Sequence, residues 1–133
     1  MENRKRAVRS LLLAVGAALL LLAGAAGYFV YRTQYAPTPV LRSASADGAY
    51  TLTVSMLGEP DFPFGAAHCR AELFRGVLRV VWVPFAIWDD GAAAREENFS
   101  VEWEEDRVRL RIMGSEQEDL ELALGFDGTV EPL

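Results

Sequence analysis

Phe99-Ser100-Val101-Glu102-Trp103-Glu104-Glu105-Asp106-Arg107-Val108-Arg109-Leu110-Arg111-Ile112 decides the fold of this chain. Phe99, Val101 and Trp103 alternate with Ser100, Glu102 and Glu104. Val108, Leu110 and Ile112 alternate with Arg107, Arg109 and Arg111. A period of two is the mark of a strand with one buried face. A two-residue loop at Glu105-Asp106 sets Trp103 opposite Val108, Val101 opposite Leu110 and Phe99 opposite Ile112. The same register sets Glu104 opposite Arg107 and Glu102 opposite Arg109. One pairing thus satisfies the apolar and the charged faces together, as an antiparallel hairpin requires.

The pattern extends in both directions. After the Asp47-Gly48 turn, Tyr50, Leu52, Val54 and Met56 alternate with polar residues as a half-buried strand. Gly58-Glu59-Pro60-Asp61-Phe62-Pro63-Phe64-Gly65 must be a loop, because its prolines and glycines cannot sustain a ladder. A second strand is expected over His68–Phe74. Arg75-Gly76 turns it into a third over Val77–Phe85, with Leu78, Val80 and Trp82 on one face and Val81 and Val83 on the other, as in a strand covered on both sides. Asp89–Glu97 is a polar gap with room for one helical turn. Beyond the hairpin, Leu120, Leu122, Leu124 and Phe126 form an inward stripe, and Val130 starts a short terminal strand. About six strands on short turns predict a small mainly-β domain, an antiparallel β-sandwich or small barrel. With the apolar run described next, the fold class is an N-terminal transmembrane α-helix followed by that domain.

Between Arg9 and Arg32 there is no charged residue. Ser10–Tyr31 is long enough to cross a bilayer as one helix. Arg4, Lys5, Arg6 and Arg9 flank its start and only Arg32 its end, which predicts a cytoplasmic N-terminus. Tyr28, Phe29, Tyr31 and Tyr35 gather where aromatic rings prefer the headgroups. Ala23-Gly24-Ala25 resembles a signal-peptide cleavage site, but the apolar stretch exceeds the usual h-region and continues past it. Ala25 stands where a lipidated Cys would be needed. Ala14/Ala18 and Ala23/Gly27 have the small-residue spacing of close helix pairs, in a helix that is simply rich in small residues. The expected organisation is a cytoplasmic basic stub (1–9), a transmembrane helix (10–31), a Pro-containing tether (32–48) and an extracytoplasmic β-domain (49–133).

The chain of 133 residues has a net charge of −6. Beyond the anchor, eight arginines face eighteen carboxylates, so the exposed part is more acidic still. Such a surface repels nucleic acid and suits a basic partner, though acidity also serves solubility alone. Cys69 is the single cysteine, so no intramolecular disulfide forms, and it shares a strand face with Ala71 and Leu73 that favours burial.

The residues for chemistry are sparse. His68 is the one histidine and points to the opposite face from Cys69, so the pair is no nucleophile and base. Zinc needs more ligands than these two. There is no nucleophile elbow and no phosphate-cradling loop. A carboxylate-pair hydrolase is the weakest reading, since no pair stands out. The expectation is therefore a non-enzymatic protein without a cofactor. Its contacts are membrane lipid through the helix and another cell-envelope protein through Phe62, Phe64 and His68. Burial of Phe62 and Phe64 as caps over the open end of the sandwich is the competing and favoured expectation for the two rings. The alternative function is a calcium- or small-ligand-binding domain using Asp89, Asp90, Glu96 and Glu97. Asn98-Phe99-Ser100 matches a glycosylation sequon, expected inside a strand and unused.

Ser45-Ala46-Asp47-Gly48-Ala49-Tyr50, Gly58–Gly65, His68-Cys69-Arg70, Asp90-Gly91-Ala92, Glu97–Val101 and Phe126–Val130 together resemble a group of small single-pass membrane-anchored proteins of Gram-positive bacteria, Firmicutes especially. The resemblance covers most of the exposed domain. It implies an N-terminal anchor and a β-rich domain, and no activity. The Ser-x-Asp-Gly-x-Tyr piece also looks like a propeller-blade start, but it occurs once where a propeller needs several.

Overall fold

The computed structural model describes all residues 1–133. Helix α1 (Glu2–Val30) continues into a wider π-helical turn over Tyr31–Tyr35. Its apolar residues are exposed along its whole length, and it is long and apolar enough to cross a membrane. Eight strands follow: β1 (Pro37–Ala44), β2 (Tyr50–Leu57), β3 (Ala67–Arg75), β4 (Leu78–Ile87), β5 (Phe99–Trp103), β6 (Arg107–Ile112), β7 (Leu120–Gly125) and β8 (Val130–Pro132). They form two antiparallel four-stranded sheets, in the orders β1-β2-β3-β4 and β5-β6-β7-β8. Each sheet is a meander of neighbouring strands.

The inner faces of the two sheets share one core. Leu52, Val54, Met56, Cys69, Ala71, Leu73 and Ile87 from the first sheet meet Phe99, Val108, Leu110, Ile112, Leu122 and Leu124 from the second. The hairpin register is the expected one, with Phe99 opposite Ile112, Val101 opposite Leu110 and Trp103 opposite Val108. Glu104 donates its N–H to the Arg107 carbonyl at 2.8 Å, closing the Glu105-Asp106 loop. On the outer face, β6 lines up Arg107, Arg109 and Arg111, each held by carboxylates. Arg107 meets Glu104 at 2.6 Å, Arg109 meets Glu121 at 3.0 Å and Glu104 at 3.4 Å, and Arg111 grips Asp119. The Arg107 hydrogen bond holds the Glu104 carboxyl below the ordinary range.

Three expectations need correction. The segment expected to be a tether contains β1, which pairs with β2 from Pro37↔Leu57 to Ala44↔Thr51. Pro37 and Pro39 suggested a linker, but β1 is an edge strand, where a missing N–H is tolerated. The β-domain therefore begins at residue 37 and has eight strands. Second, β4 is not covered on both sides. A register shift sets Leu73 opposite Val81 but Phe74 opposite Arg79. This bulge at Val80 changes the phase of the strand. Val81, Val83, Phe85 and Ile87 then oppose the inward residues of β3, while Leu78 and Trp82 are exposed. Third, Asn98 lies in the single 3₁₀ turn Glu96–Asn98, just before β5, and is buried.

Cys69 is buried, as its strand face suggests, and desolvation pushes its thiol up to about 12. The thiolate is the nucleophilic form, so the folded chain should leave a maleimide unreacted at neutral pH and take it up fully in denaturant. Labelling of the native protein would disprove that burial. Leu110 is fully buried between the sheets. Leu110→Ala should cost about 2–5 kcal/mol of stability in denaturant unfolding of the detergent-solubilised chain.

Candidate functional site

The antiparallel meanders sort the connections to two ends. At the far end lie four short turns, and here the sheets are sealed to each other. Tyr50 stacks on Phe126 with ring centroids 3.8 Å apart, and Trp103 Nε1 donates to Ser43 Oγ at 2.9 Å. Two of these turns are closed by an aspartate. Asp47 accepts from Ser45 Oγ and the Ala49 N–H, and Asp127 accepts from the Thr129 N–H and Oγ1. These hydrogen bonds hold both carboxyls below their ordinary range.

At the other end lie the longer connections, at residues 58–66, 88–98 and 113–119, together with the exit of α1. The sequence-derived candidates all fall here. The loop after β2 is tied to the helix by backbone. Gly58 N–H donates to the Ala36 carbonyl at 2.9 Å and Glu59 N–H to the Thr33 carbonyl at 2.8 Å. Gly58 has φ +68, and a Cβ there would collide with the Thr33 carbonyl, so only glycine fits. Asp61 and Gly65 then close the loop on themselves, with the Gly65 N–H on the Asp61 carbonyl at 2.7 Å. His68 Nε2 pairs with Asp61 Oδ2 at 2.7 Å, clamping the loop to the start of β3.

Phe62 and Phe64 do not cap the core. They are 96% and 69% exposed. Small residues occupy the buried positions at that end: Ala36, Ala66 and Ala67. Phe62, Phe64 and the half-exposed Trp88 are therefore uncovered aromatic residues on the helix-side connections. Gly91, at φ +74, lies against the Phe64 backbone and joins the 88–98 connection to that loop.

The four carboxylates proposed for calcium are not gathered. No group of three or more His, Cys, Asp or Glu side chains is placed to hold a metal ion. Asp89 instead ties two of the connections, 88–98 and 113–119, to each other. It accepts from the Ser115 N–H at 3.1 Å, from Asn98 Nδ2 at 3.3 Å and from Arg95 at 3.3 Å, and the Ser115 contact is foremost in lowering its pKa. Asn98 also donates to the Met113 carbonyl at 2.9 Å, so the sequon amide is engaged inside the fold. Asp90 offers its backbone N–H to Glu116, and Glu96 and Glu97 are exposed on the 3₁₀ turn.

A second exposed apolar patch escaped the sequence reading. Val77 is 94% exposed and Leu78 72%, and Trp82 follows on the same outer edge. Leu78 and Trp82 lie on β4 and Val77 in the turn just before it, and β4 pairs only with β3 and leaves its other backbone edge free. Trp82 opposes the outward Glu72, whereas past the Val80 bulge Leu78 opposes Arg75 and is exposed at the far end of the strand, and a bulge has no signature in a run of apolar residues. Comparison with protein-family models, curated proteins and solved structures finds no match to this chain.

Asp89 gives the site its pH dependence. Its folded pKa is depressed, so its contribution is complete above the ordinary carboxylate range near pH 4 and fades as pH falls through and below that range. Asp89→Asn should lower the urea midpoint at pH 6 and shrink the loss of stability between pH 6 and pH 3. A variant with wild-type acid sensitivity would show that the carboxylate is not what ties these two connections together.

Proposed function

We propose that this chain is a bitopic membrane protein whose β-sandwich stands on the extracytoplasmic side as a non-enzymatic binding or accessory module for another cell-envelope protein. The four basic residues before the apolar run support the orientation. The resemblance to membrane-anchored proteins of Gram-positive bacteria supports the setting. The observation that carries the binding role is the free edge of β4 with Val77, Leu78 and Trp82 uncovered beside it. Soluble domains usually blunt such edges with charge or proline, because an unpaired apolar strand recruits another strand. Pro84 blunts only the helix-side half of β4. The stretch between the Val80 bulge and Pro84, Val81–Val83, is suited to a short extended segment of a partner added by strand pairing, with the Trp82 ring as its apolar anchor. Arg79 lies 5.8 Å over that ring and holds it outward. The partner's flanks are expected to be basic, to match the excess of carboxylates on the domain.

Two measurements test this. A single cysteine placed at the exposed tip, Val77→Cys, should react with a membrane-impermeant maleimide in intact cells, since Cys69 is silent. Protection there with labelling after lysis would reverse the orientation. A photo-crosslinking residue at position 82 should yield one discrete adduct with an envelope protein, and the same residue at Ser100 on the outer face of the second sheet should not. Trp82→Ala should weaken that contact by about 2 kcal/mol, roughly thirtyfold. Equal adducts from both positions, or none from 82, would defeat the edge-strand reading.

A further inference from the structure

The exposed Phe62 and Phe64 are placed differently from the β4 edge, and their position says what covers them. The loop bearing both phenylalanines is bonded directly to the turn that ends the apolar helix, with no linker between them. The helix supplies Phe29, Thr33 and Gln34 to one side of a cleft of about 280 Å³, and the loop supplies Glu59, Asp61 and Phe62 to the other. Phe29 belongs to the uncharged run that begins after Arg9. Some twenty helical residues from Ser10 rise about 30 Å, the thickness of the hydrocarbon layer, so Phe29 falls at its outer boundary. Phe62, sharing the cleft with Phe29, falls at the same depth.

On these grounds we infer that the loop Pro60–Gly65 is a second membrane contact, which sets Phe62 and Phe64 into the headgroup and upper acyl region beside the helix exit. The occupant is the lipid surface itself. This rests on the membrane-spanning reading of α1 given above. Tyr28, Tyr31 and Tyr35 line the last turns of the helix, as expected where rings meet the interface. Aromatic side chains lying in the interface bind through buried apolar area. The loop's carboxylates do not oppose this. Asp61 is paired with His68, and Glu59 bears its carboxylate at the headgroup level, where zwitterionic lipids present ammonium groups. The contact is apolar, so neither anionic lipid nor low salt is required.

The test uses the full chain in nanodiscs of phosphatidylcholine. A nitroxide is attached at Phe62→Cys, at Phe64→Cys as a second position in the same loop, at Val77→Cys on the far end and at Leu20→Cys in mid-helix. Cys69 remains unlabelled in the folded protein. Relaxation by oxygen, which partitions into lipid, is compared with relaxation by a water-soluble nickel complex. The expected result is that sites 62 and 64 favour oxygen as site 20 does, with nickel accessibility several-fold below that of site 77. If site 62 matches site 77 while site 20 still favours oxygen, the helix spans but the loop lies in water, and the inference is wrong. Shielding of site 62 from both reagents would overturn it in favour of a protein contact, such as a second copy of the chain. Nickel accessibility at site 20 would instead remove the spanning helix, and the loop contact with it.

Discussion

Two backbone hydrogen bonds, from the Gly58 N–H to the Ala36 carbonyl and from the Glu59 N–H to the Thr33 carbonyl, join the apolar helix to the sandwich. Everything that gives this molecule a direction depends on them. They hold because residue 58 has no side chain and adopts a left-handed conformation, and because Ala36 is small enough to be buried at the junction. β1 follows immediately, so the first strand leaves the helix already paired to β2. The sheet inherits its placement from the helix, and the long connections gather on the helix side by the parity of the meander.

The two ends of the sandwich are consequently built on different principles. The far end is closed by tight turns, by the Tyr50–Phe126 stack and by the Trp103 hydrogen bond. The helix end is closed by alanines and by one aspartate that draws two loops together. An end sealed with small residues and polar links has no use for large aromatic residues as core. That is why Phe62 and Phe64 are free to serve at the surface.

Much of this was legible in the sequence where one rule acted alone. The hairpin of β5 and β6 was readable because its apolar and charged patterns agree on one register, and the register is found as expected. The inward stripe of β2 was readable for the same reason, and the membrane-length helix followed from the length of its uncharged run. Where two rules conflicted, reading failed. Pro37 and Pro39 signal a linker locally, and only the edge position of β1 makes them compatible with a strand. In β4 every residue from Val80 to Val83 is apolar or aromatic, so alternation could not reveal the bulge. Phe62 and Phe64 are exposed where burial was the favoured expectation, because the buried positions at that end go to Ala36, Ala66 and Ala67, a packing fact that no local pattern carries.

The direct, hydrogen-bonded passage from helix to sandwich has a mechanical consequence. A transmembrane helix is commonly inclined by about 20° to the membrane normal. Eight-residue strands such as β2 rise about 26 Å, so that inclination would carry the far tip sideways by about 9 Å and dip one flank of the sandwich toward the lipid. Rotation of the helix about its own axis is likewise rotation of the domain, and the azimuth of the anchor becomes the compass bearing of β4. A partner lying in the same bilayer would therefore meet that strand from one side only, and any force that turns the helix would turn the strand toward it or away.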